Sequence, residues 1–220
     1  MTYRDRIFER HDVYDVLLYR SEDLYYGDRE LSGEHIILDV ETAESDTDLG
    51  GIFDMKKMNS VVYGILKKEA SGENIIVQVV RKVKPGDSYA DTIYADRVVH
   101  ELNLIKDNSL LAYNASFDKG ITKNLLKQAS DKGKAEYLLK CLNFKDIKFG
   151  HISKNEAMRK FNIQVPISFS DGSLCPDFFK LWIKTKNESF LELVCNRNLS
   201  CLDSENEIAK KLVEIGYLKL

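Results

Sequence analysis

The feature that most constrains this chain is the stretch His35-Ile36-Ile37-Leu38-Asp39-Val40-Glu41-Thr42-Ala43, an apolar run that ends in two carboxylates. A short apolar run rich in β-branched residues reads as a buried strand. Residues i and i+2 of a strand share a face, so Asp39 and Glu41 leave the end of that strand side by side. Adjacent carboxylates repel unless a cation shares them. Mg²⁺ or Mn²⁺ suits this role, because hard divalent ions take oxygen ligands. Taken alone, the pattern also fits a strand that runs into a solvated acidic loop, since Glu44, Asp46 and Asp48 follow at once.

A second stretch has the same design. Leu110-Leu111-Ala112-Tyr113-Asn114-Ala115-Ser116-Phe117-Asp118 is an apolar run that delivers Asn114 and Asp118 at its polar end. Together the two segments resemble the first two motifs of the DnaQ-like, or DEDD, 3′-5′ exonucleases: D-x-E closing the first strand, matched by Asp39 and Glu41, and N-x-x-x-F-D after the fourth, to which Asn114, Phe117 and Asp118 correspond with one residue fewer between Asn and Phe. The resemblance covers roughly Glu34 to Leu212, and its wording is similar to that of the proofreading subunits and RNase T. It implies an RNase H-like α/β fold with a mixed central sheet of about five strands flanked by helices. It also implies two divalent ions, Mg²⁺ or Mn²⁺, held by Asp39, Glu41, Asp118 and a fourth acid.

The rest of the chain is read around these motifs. Ile7, Phe8, Val13, Val16, Leu17 and Leu18 recur at roughly helical spacing, which predicts a helix over about Asp5 to Arg20. Residues 1–34 are therefore expected to form a helical arm, with a connector through Gly27 and Gly33, ahead of an exonuclease domain at 35–220. The arm is expected to pack on the core, and it is also the candidate contact for a protein partner. Glu44 to Asn59 reads as a surface loop beside the acids. Ser60 to Leu66 and Asn74 to Val83, separated by Glu69-Ala70-Ser71-Gly72-Glu73, predict a hairpin.

Tyr89 to Lys106 then reads as a helix, Leu110 to Tyr113 as a strand, and the segment from Ser116 or Phe117 as a helix carrying Asp118 in its first turn. The helix dipole there favours a negative charge. Asp146 to Phe149 reads as a fifth strand. Ser153 to Phe161 reads as a helix opened by a capping box of Ser153 and Glu156.

The third motif departs from the family pattern, which places a fourth acid a few residues after a His or Tyr. In Asn198-Leu199-Ser200-Cys201-Leu202-Asp203, Asn198 stands where His is expected and Asp203 is the preferred acid; Asp177 is the alternative. None of His11, His35, His100 and His151 lies at motif spacing, and His151 is the one left open to approach the site in three dimensions. Asn can hold a water but cannot accept its proton near neutral pH. Metal coordination itself acidifies bound water, so slow hydrolysis and a binding-only descendant both stay open. Among the other residues, the resemblance gives Thr42 and Asn198 contacts to substrate, a single-stranded DNA or RNA 3′ end, and gives Asn114 either such a contact or the orientation of the second-motif backbone. Phe117 is read as core, and Tyr113 as either core or a stacking surface.

Composition narrows the class further. The formal charge of −3 argues against gripping long duplexes by bulk charge. Charge is nonetheless segregated: Lys119 to Lys160 holds eleven Lys/Arg against four Asp/Glu, while Met1 to Asp54 holds five against fifteen. Basic residues concentrated just after the second motif suit a groove that tracks a phosphate backbone. No run suggests a membrane span or a secretory signal, so an intracellular, cytoplasmic protein without a membrane partner is expected. Cys141, Cys175, Cys195 and Cys201 form no C-x-x-C pair and are expected to be reduced, mostly buried thiols.

Overall fold

The β-branched and aromatic runs pair side by side into a single sheet. The computed structural model describes residues 3–20, 35–44, 58–68, 73–105, 109–164 and 172–219. Among these residues the strands are β1 (Ile7–Arg10), β2 (Tyr14–Arg20), β3 (Ile36–Glu44), β4 (Met58–Lys68), β5 (Asn74–Arg81), β6 (Ser109–Ala112) and β7 (Asn143–Asp146). They form one mixed seven-stranded sheet in the order β1-β2-β5-β4-β3-β6-β7. The β3-β6 and β6-β7 pairs are parallel and the other neighbours antiparallel.

Helices cover both faces. On one face Leu38, Val40, Tyr63 and Ile65 pack against α1 (Ser88–Asn103), α2 (Ala115–Leu126) and α3 (Lys132–Cys141). On the other, Ile37, Val62 and Leu66 meet α4 (Lys154–Lys160), α5 (Cys175–Thr185) and the long α6 (Glu188–Glu214). α1 is tied down by a buried ion pair beneath it. Arg81 Nη1 lies 2.5 Å from Asp91 Oδ1, its Nε donates to the Ser60 carbonyl, and its guanidinium stacks over Tyr94.

Two expectations are corrected here. The segment predicted as a helix over Asp5 to Arg20 forms β1 and β2 after a short 3-10 turn at Tyr3–Arg6. β2 pairs residue for residue with β5, from Tyr14 opposite Arg81 to Arg20 opposite Ile75. Its Leu17 and Tyr19 enter one core, and Tyr14 and Val16 enter the other. A strand buried on both faces has apolar residues at nearly every position. That density produced i, i+3, i+4 coincidences that read as a helix. Residues 3–20 thus extend the central sheet, which has seven strands rather than about five, and the boundary at residue 34 does not set them apart as a helical arm.

β7 likewise sits three residues earlier than the strand predicted at Asp146 to Phe149, because Asn143 to Asp146 pair with β6. Phe149 instead packs against Phe161 and Tyr217. The connector through Gly27 and Gly33, most of the loop at 44–59 and the turn at 69–72 lie outside the described residues. No described helix is long and apolar enough to cross a membrane. The described cysteines are free, as expected.

Candidate metal centre

β3 and β6 lie side by side in parallel, with Ile36 opposite Leu110 and Ile37 opposite Leu111. Their C-terminal ends therefore open at the same edge of the sheet, where ligand sites of parallel strands form. Asp39 and Glu41 share the strand face of Ile37, which looks toward α5 and α6. Beyond β6 the chain turns into α2 at its N-cap Asn114, whose carbonyl accepts from the Phe117 and Asp118 N–H groups at 2.9 and 3.3 Å. Asp118, only 5% exposed, lies in that first turn and is hydrogen-bonded by the Val40 backbone.

Of the two acids on α6, Glu205 reaches the cavity and Asp203, the acid preferred from the sequence, does not. The Tyr113 N–H donates to Glu205 Oε2 at 3.1 Å, and the Lys154 ammonium lies 2.9 Å from Glu205 Oε1. Asp39, Glu41, Asp118 and Glu205, carried by β3, α2 and α6, line one cavity of about 600 Å³. Two of the cations on its wall lie against these acids. Lys154 Nζ is 3.7 Å from Asp39 Oδ1, and Arg197 Nε is 4.0 Å from Glu41 Oε1.

The protonation equilibria register this crowding. Burial and the Asp39 charge push Glu41 up to about 7, against a lowering by Arg197. Burial, with Asp39 and Glu205 beside it, holds Asp118 well above the usual aspartate range. Glu205 rises to about 7 through burial, with Lys154 pulling it down and Asp39 pushing it up. Buried acids that resist ionisation in this way are short of positive charge.

Asp39, Glu41 and Cys201 each bring one ligand atom within 4.8 Å of the others, so they could hold a metal ion. Burial and the Asp39 charge push the Cys201 thiol upward, which keeps it neutral and a poor ligand for a hard cation. Carboxylate oxygens are the better donors here. Their charge deficit is the feature of this structure that a divalent ion fits.

The remaining predicted residues divide cleanly. Thr42 and Asn114 line the cavity; the Thr42 hydroxyl points to Met58 Sδ at 3.8 Å, and Asn114 Oδ1 accepts from Ser116. Phe117 is partly buried, packs against the core beneath α1 to α3, and also reaches the cavity wall. Tyr113 is buried and its hydroxyl donates to the Ile152 carbonyl, so it braces the wall. Asp177 is exposed at the cavity rim beside Lys180.

Asn198 corrects the expectation of a substrate contact. It is fully buried behind the cluster, and its Nδ2 donates to Asp39 Oδ2 at 2.7 Å and to the Asp39 carbonyl at 2.9 Å. Its Oδ1 accepts from Gln78 Nε2 at 2.8 Å, and Gln78 Oε1 in turn accepts from the Tyr19 hydroxyl. This line of hydrogen bonds crosses the sheet through the space above Gly64, the β4 residue opposite both Asp39 and Gln78. A Cβ on Gly64 would stand 2.8 Å from Asn198 Cγ and from Leu202 Cδ1, closer than real side chains approach. Asn198 is thus a bracket for Asp39.

Asp203 points elsewhere. It is buried, does not line the cavity, and its Oδ2 has no hydrogen-bond partner among the described residues. Its charged neighbours are Glu207 and Lys210, and burial with the Glu207 charge pushes it up to about 7.

Sequence reasoning missed Glu205, Lys154 and Arg197. For Glu205 a usable signal was present. Asn198, Cys201 and Glu205 are spaced i, i+3, i+7 on a helix that packs on β3, and so share one face. Asp203 sits about half a turn away. No histidine lines the cavity among the described residues. No protein-family model, curated protein or solved structure matches the chain.

Proposed function

We propose that this chain is a metal-dependent 3′-5′ exonuclease with an RNase H-like core, removing nucleotides from single-stranded DNA or RNA ends. The observation that carries the reading is the convergence of four carboxylates from three elements in one cavity. Three of them come from the two motifs that resemble the DnaQ-like family. The order in which the chain builds the site supports it as well: the D-x-E strand β3 and the strand β6 leading to Asn114 and Asp118 are parallel neighbours.

Asp39, Glu41, Asp118 and Glu205 would hold divalent Mg²⁺ or Mn²⁺, two ions in the family scheme. When bound, the ions supply activation of the attacking water and charge stabilisation of the leaving 3′ oxygen. The protein's own groups do the rest. Asn198 fixes the Asp39 carboxylate, and the Tyr113 N–H fixes Glu205. A cavity of about 600 Å³ accommodates a nucleotide. Thr42, Met58 and Phe117 offer it walls, the Asn114 amide a polar contact, and Lys180 at the rim a cation for the next phosphate.

A second reading, a descendant that binds nucleic-acid ends without hydrolysing them, is favoured by the absence of a histidine from the described cavity lining. One experiment separates the two. Single strands of DNA and RNA, labelled at either end, are incubated with Mn²⁺, Mg²⁺ or EDTA and with wild type or Asp118→Ala. The exonuclease reading expects metal-dependent release of mononucleotides from the 3′ end that is lost in the variant. Equal activity in Asp118→Ala overturns it, and end binding without release by wild type establishes the second reading.

A further inference from the structure

We infer that Lys154 is a built-in cation of the carboxylate cluster, so that the free protein takes up one divalent ion rather than two. The inference rests on the metal-site reading above and makes its stoichiometry specific. Lys154 is the first residue of α4, and its backbone is fixed by the capping box of Ser153 and Glu156 just before and after it. Its ammonium bridges two elements, 2.9 Å from Glu205 on α6 and 3.7 Å from Asp39 on β3, with the side chain 16% exposed. Joining carboxylates that would otherwise repel is the work a second metal ion would do there.

Two features make this more than a surface ion pair. A lysine in the first turn of a helix opposes the helix dipole, so local electrostatics disfavours it at this position and only the carboxylates across the cavity repay it. The charge count is the second. For the four clustered carboxylates alone, setting aside Glu44, Asp177 and Lys180 elsewhere on the cavity wall, ionisation gives four negative charges, and Lys154 with Arg197, which lies 4.0 Å from Glu41, returns two. The remaining two match one divalent ion. A second ion would leave the buried cluster with two excess positive charges, which the anionic groups of a bound substrate would have to balance.

The test is the number of Mn²⁺ ions bound by the free protein, read by titration calorimetry and by electron paramagnetic resonance of unbound Mn²⁺. Wild type is expected to bind one ion per chain, and Lys154→Arg the same. Lys154→Met is expected to bind two, or one at least tenfold more tightly. Lys154→Gln stands in should Lys154→Met fail to give a cooperative thermal transition. Two ions in wild type, or unchanged stoichiometry and affinity in the neutral variants, overturns the inference while leaving the metal site in place. No Mn²⁺ bound by either wild type or the neutral variants removes the metal-site reading and this inference with it.

Discussion

β3 and α6 each carry a pair of acids two residues apart, and the two elements use them in opposite ways. On the strand, Asp39 and Glu41 fall on one face and enter the cavity together. On the helix, Asp203 and Glu205 are separated by about 200° of rotation. Glu205 faces the cluster, while Asp203 turns to Glu207 and Lys210. The same spacing yields a shared site in one secondary structure and a divided pair in the other. A motif written as residue types at fixed intervals therefore has meaning only after the element carrying it is known.

The sharpest way to break this comparison is to remove each helix acid in turn. Glu205→Ala is expected to lower Mn²⁺ affinity, and any nuclease activity, by about 100-fold or more, since loss even of groups that only support metal ligands costs about 10–100-fold. Asp203→Asn is expected to leave both within about twofold. Calorimetry and the end-labelled assay read the two side by side, and equal losses would erase the distinction drawn between the faces of α6.

A second test addresses how α6 is held in register with β3. Gly64→Ala would drive a methyl group into Asn198 and Leu202. A destabilisation of about 1–3 kcal/mol is expected from overpacking of this kind. Loss of the Asn198 bracket should also weaken Mn²⁺ binding, whereas Gly133→Ala, on an exposed stretch of α3, should do neither. Denaturant melts with and without Mn²⁺ distinguish the outcomes.

A third test concerns pH. Glu41, Glu205 and Asp203 have folded-state values near 7, raised above the ordinary carboxylate range by burial. A raised acid keeps its proton in the folded state after the unfolded chain has released it, so the folded state holds the excess protons. The associated stability is present below about pH 4.5 and is lost as pH rises toward 7. Metal-free protein should therefore be less stable at pH 8 than at pH 5. Mn²⁺ should reverse the slope by favouring the ionised cluster, and Asp203→Asn should flatten it in part. Thermal melts across that range, with Mn²⁺ or EDTA, check the sign.

Much of the core and the first half of the site were legible in the sequence. The apolar runs of β3, β4, β5 and β6, the helices α1 and α2, and the capping box of α4 lie close to where periodicity and turn chemistry placed them. Local signals sufficed because each element announces its own type within a few residues. The N-terminal strands were misread because β2 lies between β1 and β5 with both faces buried, which removes the alternation that would have marked it as a strand. Cys201, Glu205 and Asn198 share a face that was visible in principle, but the direction of that face depends on how α6 packs over Gly64.

What the sequence by itself determined is that a buried strand must end in paired acids at Asp39 and Glu41, and that a second apolar run must deliver Asp118 at its polar end. Strand periodicity and burial of apolar side chains permit little else. Only the tertiary structure decided that Glu205 completes the cluster, that Asn198 holds Asp39 from behind, and that Lys154 and Arg197 supply its internal positive charge. Those partners are separated in the chain by up to 159 residues. Their meeting depends on packing between elements, which no local pattern encodes.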